Sequence, residues 1–128
     1  MSETIDRLQS LATAKGLLIF SRIDHAHNAR EVGLTLRPTE LLLFGNPRGG
    51  TPLMQDQQIA GLDLPVRALA WEDERGQTWL SYYSGSAIAA RHGLNATSRL
   101  AVEAIDKGME MLCHLAATQD VAQDVDAK

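Results

Sequence analysis

The chain has a single cysteine, Cys113, among its 128 residues. One cysteine excludes an internal disulfide and any CxxC metal or redox motif, and the expected setting is a reducing, cytoplasmic one. Aromatic residues make up 5% of the sequence, too few to build the stacking platforms of single-strand nucleic-acid binders. No lysine occurs between Lys15 and Lys107, and the formal net charge is -4. Affinity for a polyanion needs clustered cations that release counterions, so nucleic acid is not an expected partner. No apolar run approaches the roughly 18 residues that a membrane span needs. The opening "MSETIDRLQSL" carries acids and lacks the apolar core of a signal peptide. A membrane is therefore not an expected partner either, and the Asn95-Ala96-Thr97 sequon has no consequence without secretion.

What is present describes an ordinary globular chain. Apolar residues are 45% and charged residues 22%, enough for one domain with a real core at this length. Helical spacing of Ile5, Leu8, Leu11 and Ala12 predicts a first helix capped by Ser2 and ended by Gly16. "LLIFSRI" (17–23) predicts a strand, after which Asp24 caps a short helix closed by Gly33. A second strand is expected over Glu40 to Phe44, and a helix from the Thr51-Pro52 cap to about Ala60. Leu64 to Asp73 and Gln77 to Tyr83 read as a β-hairpin turned at "DERG", where Gly76 can take positive φ. A short helix around Ala87 to His92 precedes a long one. That last helix shows a face of Ala101, Ala104, Ile105, Gly108, Leu112 and Leu115. Gly108 weakens a helix by about 1 kcal/mol against Ala, so a close approach of another backbone is expected there. The single domain is expected over 1–119, with a frayed acidic tail at 120–128.

The resulting order, α-β-α-β-α-β-β-α-α, predicts an α+β fold with a four-stranded, mainly antiparallel sheet and helices packed on one face. Strand side chains alternate between faces. Leu17, Ile19 and Ile23 then oppose Leu18 and Phe20; Val66, Ala68 and Ala70 oppose Leu69 and Trp71; Leu80 and Tyr82 oppose Trp79 and Tyr83. Both faces are apolar, so the uncovered one is expected to close against a second copy, unless the helices divide between the faces.

The stretch "LLLFGNPRGGTPLM" (41–54) has the outline of a ligand loop. Gly45 and Gly50 have P-loop spacing, but Thr51 stands where that motif needs lysine, and Pro47 removes an amide. Nucleotide hydrolysis is excluded. Two readings stay open: an anion held at a helix start by Thr51 and Arg48, or a plain turn with a capped helix behind it.

The chain resembles a bacterial family labelled domain of unknown function 302. The likeness is carried by Ile23-Asp24-His25, Ala29, Gly33, Pro38-Thr39, Phe44-Gly45-Asn46-Pro47, Gly50-Thr51, Leu62-Asp63-Leu64-Pro65 and Arg91-His92. It runs from about Leu17 to Leu94, with the last helix fitting more loosely. The resemblance implies a two-layer α+β domain of the TATA-binding-protein-like kind, found as a homodimer. It implies no established activity, no cofactor and no catalytic residues, and a fold likeness cannot supply DNA binding.

The candidate site residues are Asn46, Arg48, Thr51, Asp63, Arg67, His25 and His92, with no metal. His25 and His27 are two apart and cannot share a helix face as ligands. Asp63, flanked by leucines, needs a partner, for which Arg67, Arg22 or Arg37 are in reach by sequence. Cys113 is expected to be a half-buried, inert thiol. Three functions compete: a homodimeric binder of a small ligand, anions included, at the FGNPRGGT loop; a small enzyme using His25 or His92 with Asp63 as acid or base; and a protein-interaction module without ligand. A hydrogen bond from His25 or His92 to Asp63 inside a cleft distinguishes the first two.

Overall fold

The computed structural model describes residues 2–117 and the backbone of residues 121–126. All nine expected elements are present in the expected order: α1 (Ser2–Ala14), β1 (Leu18–Asp24), α2 (His25–Glu31), β2 (Thr39–Gly45), α3 (Pro47–Asp56), β3 (Val66–Glu72), β4 (Thr78–Tyr83), α4 (Gly85–His92) and α5 (Arg99–Ala116). Two 3₁₀ turns, Gln58–Asp63 and Ala96–Ser98, link helices to their neighbours. Strands β1 to β4 form an antiparallel meander in chain order. Part of the stretch expected to fray, Val121–Asp126, runs as β5 parallel to the outer edge of β4; residues 120, 127 and 128 lie outside the described residues.

One layer of helix covers one face of the sheet. Leu42 and Phe44 of β2, Ala68 and Ala70 of β3, and Leu80 and Tyr82 of β4 meet Ile5, Leu8 and Ala12 of α1 and Met109, Leu112, Cys113 and Ala116 of α5. Each fully buried Leu, Ile or Phe here contributes about 1.5–3 kcal/mol relative to exposure. The small residues Ala68 and Ala70 face the helices, which lets α1 and α5 lie close to the strands. A second cluster, Leu53, Ala60, Ile88 and Val102, joins α3, α4 and α5 beside the sheet.

The other face is apolar but only partly buried. Leu41 and Leu43, Leu69 and Trp71, and Trp79 are each intermediate, and Tyr83 is exposed. Neither buried cluster includes any of them. Trp71 and Trp79 stack across the hairpin with ring centroids 6.1 Å apart, and Trp71 Nε1 donates to Ser81 Oγ at 2.8 Å. The turn expected at "DERG" is held by Asp73, which accepts from Arg75 N, Gln77 N and Trp79 Nε1. Gly76 takes φ 80° there.

Strict alternation fails in β1. Ile19 pairs with Phe44 but Ser21 pairs with Leu43, so Phe20 is an extra residue, a β-bulge. Past it the parity is reversed. Arg22 joins the helix face, where it bonds Glu40 and Asp6 at 3.0 and 2.6 Å, and Ile23 moves to the opposite face beside Leu41. Ile19 and Ile23 therefore do not share a face, nor do Leu18 and Phe20. A bulge turns a side chain out of its regular direction, and no composition signal marks it.

The buried arc of α5 also differs from the expected stripe. Val102, Met109, Leu112, Cys113 and Ala116 are buried, whereas Ala104 and Leu115 are exposed. The helix contacts α1, α3 and α4 as well as the sheet, so several neighbours set its buried arc. The close approach expected at Gly108 is absent: a Cβ added there would meet nothing within 4 Å. The tight contact is at Gly85 instead, where a Cβ would lie 2.6 Å from the Val102 carbonyl.

Candidate functional site

The FGNPRGGT loop is mostly helix. α3 begins at Pro47, five residues before the expected start at Pro52, with Asn46 in place of Thr51 as its N-cap. Proline is well suited to a first helical position because it has no N–H to leave unpaired. The Asn46 side chain accepts from Arg48 N at 2.9 Å, and the Asn46 carbonyl accepts from Gly49 N and Gly50 N at 2.8 and 3.1 Å. Gly49 and Gly50 are helical, with no positive φ. Every amide of the first turn is thus committed within the chain. An anion finds none to bind there.

The loop does wall a cavity of about 430 Å³ between the sheet edge, α3 and α5. Its floor is made by Phe44, Met109 and Leu112, all at most 2% exposed. Met54, Leu64 and Ile105 form the sides, and Asn46, Pro47 and Thr51 stand at the exposed rim with Phe20, 51% exposed. The bulge accounts for Phe20, which alternation would have sent to the far face. Gly49, Gly50 and Gly108 also line the space. At Gly49 and Gly108 an added Cβ would meet nothing within 4 Å.

The predicted site residues do not converge on one place. Asn46 and Thr51 line the cavity, whereas Arg48, Arg67, Asp63, His25 and His92 do not. Arg48 is exposed on α3. Arg67 lies on the open sheet face beside Leu43 and donates to the Pro65 carbonyl at 3.4 Å. His25 is exposed at the start of α2, whose cap is Asp24 accepting from His27 N. His27 pairs with Glu31 at 3.2 Å. Among the described residues no three His, Cys, Asp or Glu side chains are placed to hold a metal.

Asp63 and His92 do meet, with His92 Nε2 2.6 Å from Asp63 Oδ2. None of Arg67, Arg22 and Arg37, the expected partners, pairs with Asp63. Its cation is Arg91, whose Nη1 lies 3.1 Å from both carboxylate oxygens. Arg22 serves Glu40 and Asp6, and Arg37 serves the Glu72 carbonyl. The Arg91 guanidinium also stacks over Tyr83, 4.9 Å from the ring centre. Burial raises the Asp63 pKa, but the His92 hydrogen bond and the charges of Arg91 and His92 outweigh it and hold the carboxyl below 3.8. The His92 side chain is 8% exposed and the Asp63 side chain 22%. This cluster clasps the 3₁₀ turn at Gln58–Asp63 to the end of α4. The pair lies off the cavity, so the hydrogen bond sought between acid and base is present outside the cleft. Sequence reasoning missed Arg91 because helix α4 brings it back across 28 residues. Cys113 is wholly buried, not half-buried, and burial pushes its thiol up to about 12, leaving it neutral.

A model of the family described as "Domain of unknown function DUF302" matches residues 1–114. The chain belongs to the DUF302 family. A crystal structure of an uncharacterized conserved DUF302 protein from Bacillus stearothermophilus superposes with a TM-score of 0.68 at 18% identity. It covers 91% of this chain and 87% of that one, and at that identity it shows the shared α+β fold alone. Among curated proteins, the DUF302 chain is 46% identical over 117 residues to "Fluoride-specific ion channel FluC 1" of Brucella suis biovar 1, covering 91% of this chain and 46% of that protein. The protein of the same name from Brucella abortus biovar 1 matches at 46% identity, with 43% of its length covered. The chain thus spans less than half the length of these curated relatives. Among the described residues, no helix is long and apolar enough to cross a membrane.

Proposed function

We propose that this DUF302 chain is a non-catalytic domain that binds a small, largely apolar molecule in the cavity behind the FGNPRGGT loop. The observation that carries this reading is a space of about 430 Å³ whose floor is wholly apolar. That volume lies in the range of roughly 300–1,000 Å³ typical of small-molecule sites. An acid–base enzyme is the weaker reading, because Asp63 and His92 are engaged with each other and Arg91 away from the cavity. Native mass spectrometry of the chain purified from its own host tests the proposal. A retained small-molecule adduct is expected, lost on denaturation and lost in a Gly108→Leu variant that fills the space. Bare protein, with no stabilisation of its thermal transition by any apolar compound, would count against it.

A second, compatible reading is that the domain works as a homodimer through the open sheet face. Leu41, Leu43, Leu69, Trp71, Trp79 and Tyr83 share that face outside both buried clusters. Apolar side chains left partly exposed together on one face support an association surface, and two-fold pairing is the commonest arrangement for identical chains. Sedimentation of wild type and Leu69→Lys tests it. The wild type should run at twice the single-chain mass and the variant at the single-chain mass, both folded. A monomeric wild type at every concentration would end the dimer reading while leaving the cavity untouched.

A further inference from the structure

Resting on the cavity reading, we infer that its ligand is an uncharged, single-tailed amphiphile, seated tail inward with an oxygen-bearing head at the Asn46–Thr51 rim. Four observations lead there. First, the space has direction. Phe44, Met109 and Leu112 close its inner end, while Asn46, Pro47 and Thr51 are exposed at its mouth. An apolar segment gains most by reaching the floor, and a polar group loses least by staying at the mouth.

Second, no ionisable side chain is on the wall: apart from Asn46 and Thr51, every lining residue is apolar or glycine. A charge carried inward would be stripped of water with nothing to pair it. Third, the first-turn amides of α3 that would otherwise receive an anionic head are spent on Asn46, and Pro47 has none. Arg48, the nearest cation in sequence, is off the wall. Fourth, two polar groups at the mouth are unspent. The Asn46 side-chain N–H₂ and the Thr51 hydroxyl have no hydrogen-bond partner among the described residues, although Asn46 Oδ1 is occupied. They offer donors for one neutral oxygen, as in an alcohol, aldehyde, ketone or ester.

The volume sets the size. A cavity of about 430 Å³ equals about fourteen waters at roughly 30 Å³ each, so it holds roughly ten to fourteen non-hydrogen atoms. Each buried methylene should strengthen binding about fourfold until the space is full.

The test is calorimetric titration of the full chain, stripped of bound molecules, with straight-chain alcohols from hexanol to dodecanol and with the matched carboxylates. Affinity for the alcohols should climb about fourfold per methylene and flatten near ten to twelve carbons. Decanol should bind at least tenfold more tightly than decanoate. Thr51→Val should weaken decanol about fivefold, the worth of one neutral hydrogen bond, with the slope per methylene unchanged. Gly108→Leu should bring the plateau about four carbons earlier. If that variant fails to fold, Gly108→Ala should bring it earlier by about one. Decanoate binding as tightly as decanol overturns the neutral-head assignment while the length dependence keeps the cavity reading. A flat response to chain length, or no binding in either series, removes both.

Discussion

Two glycines in neighbouring helices should respond to the same substitution in opposite directions. Gly108 lies inside α5, where glycine weakens a helix by about 1 kcal/mol relative to alanine. A Cβ at Gly108 meets nothing within 4 Å, so Gly108→Ala keeps the helical gain and suffers no clash. The variant should be about 1 kcal/mol more stable, raising Tm by about 3–5 °C for a chain of this length. Gly85, the first residue of α4, is the control. Its added Cβ would lie 2.6 Å from the Val102 carbonyl oxygen, with Ile105 Cβ and Asp106 Oδ1 both at 3.2 Å. Backbone cannot yield as a flexible side chain does, so Gly85→Ala should lose about 1–3 kcal/mol. Urea and thermal unfolding of ligand-free protein read both values, since a bound ligand would add its own linkage term. A Gly108→Ala variant less stable than wild type would refute the reasoning. It would mean that another backbone fills the space assigned to the cavity.

Further outcomes follow from the polar contacts. His92→Ala should lower stability by about 1–2 kcal/mol, because it leaves Asp63 short of a partly buried charged hydrogen bond; chemical denaturation measures this. Asp63 is held below its ordinary 3.8. Its contribution is therefore complete above that value and lost as the pH falls through the lower folded value. Asp63→Asn should flatten the acid limb of the stability curve below pH 3.8. Asp73, lowered chiefly by the Trp79 hydrogen bond, should act in the same window, so Asp73→Asn is expected to flatten the limb independently. The Cys113 thiol, buried and raised to about 12, should not react with a thiol reagent until the chain unfolds. Rapid labelling of native protein would contradict that burial.

The element order was legible because local signals and tertiary packing agree. Asp24 caps α2, Ser84 accepts from Ala87 N to cap α4, and Gly33, Gly76 and Gly93 take positive φ at ends and turns. What escaped was the result of two elements competing for the same residues. Asn46-Pro47 and Thr51-Pro52 are both credible helix starts, and a sequence cannot rank them. In the fold, Asn46 reaches Arg48 N, and Pro52 is left inside α3 without an N–H for the Arg48 carbonyl. The Phe20 bulge is set by pairing with β2, and the Arg91–Asp63 contact by where α4 lands; neither leaves a mark in spacing. Of the loop's glycines, Gly49 and Gly50 are helical and line the hollow, whereas Gly45 takes φ 157°.

That hollow has a thermodynamic meaning. α3 spans ten residues, and Pro47, Gly49, Gly50 and Pro52 are four of them. Glycine in a helix interior costs about 1 kcal/mol against alanine, and interior proline about 3 kcal/mol. Gly108 adds a similar loss in α5. Net domain stability is only about 5–15 kcal/mol, so these choices give up a sizeable share of it in one place. Elsewhere α2 and α4 carry side-chain N-caps and the hairpin turn is tied by Asp73. Of those departures Gly49, Gly50 and Gly108 line the same cavity wall, whereas Pro52 does not, and Pro47 suits its first helical position. Departures from local preference that gather around one hollow are the pattern expected when a sequence keeps space for a ligand. Scattered accidents would have no reason to surround it. If replacing Gly49 and Gly108 together by alanine yields a more stable chain that still binds its native adduct unchanged, the space serves no ligand and this argument fails.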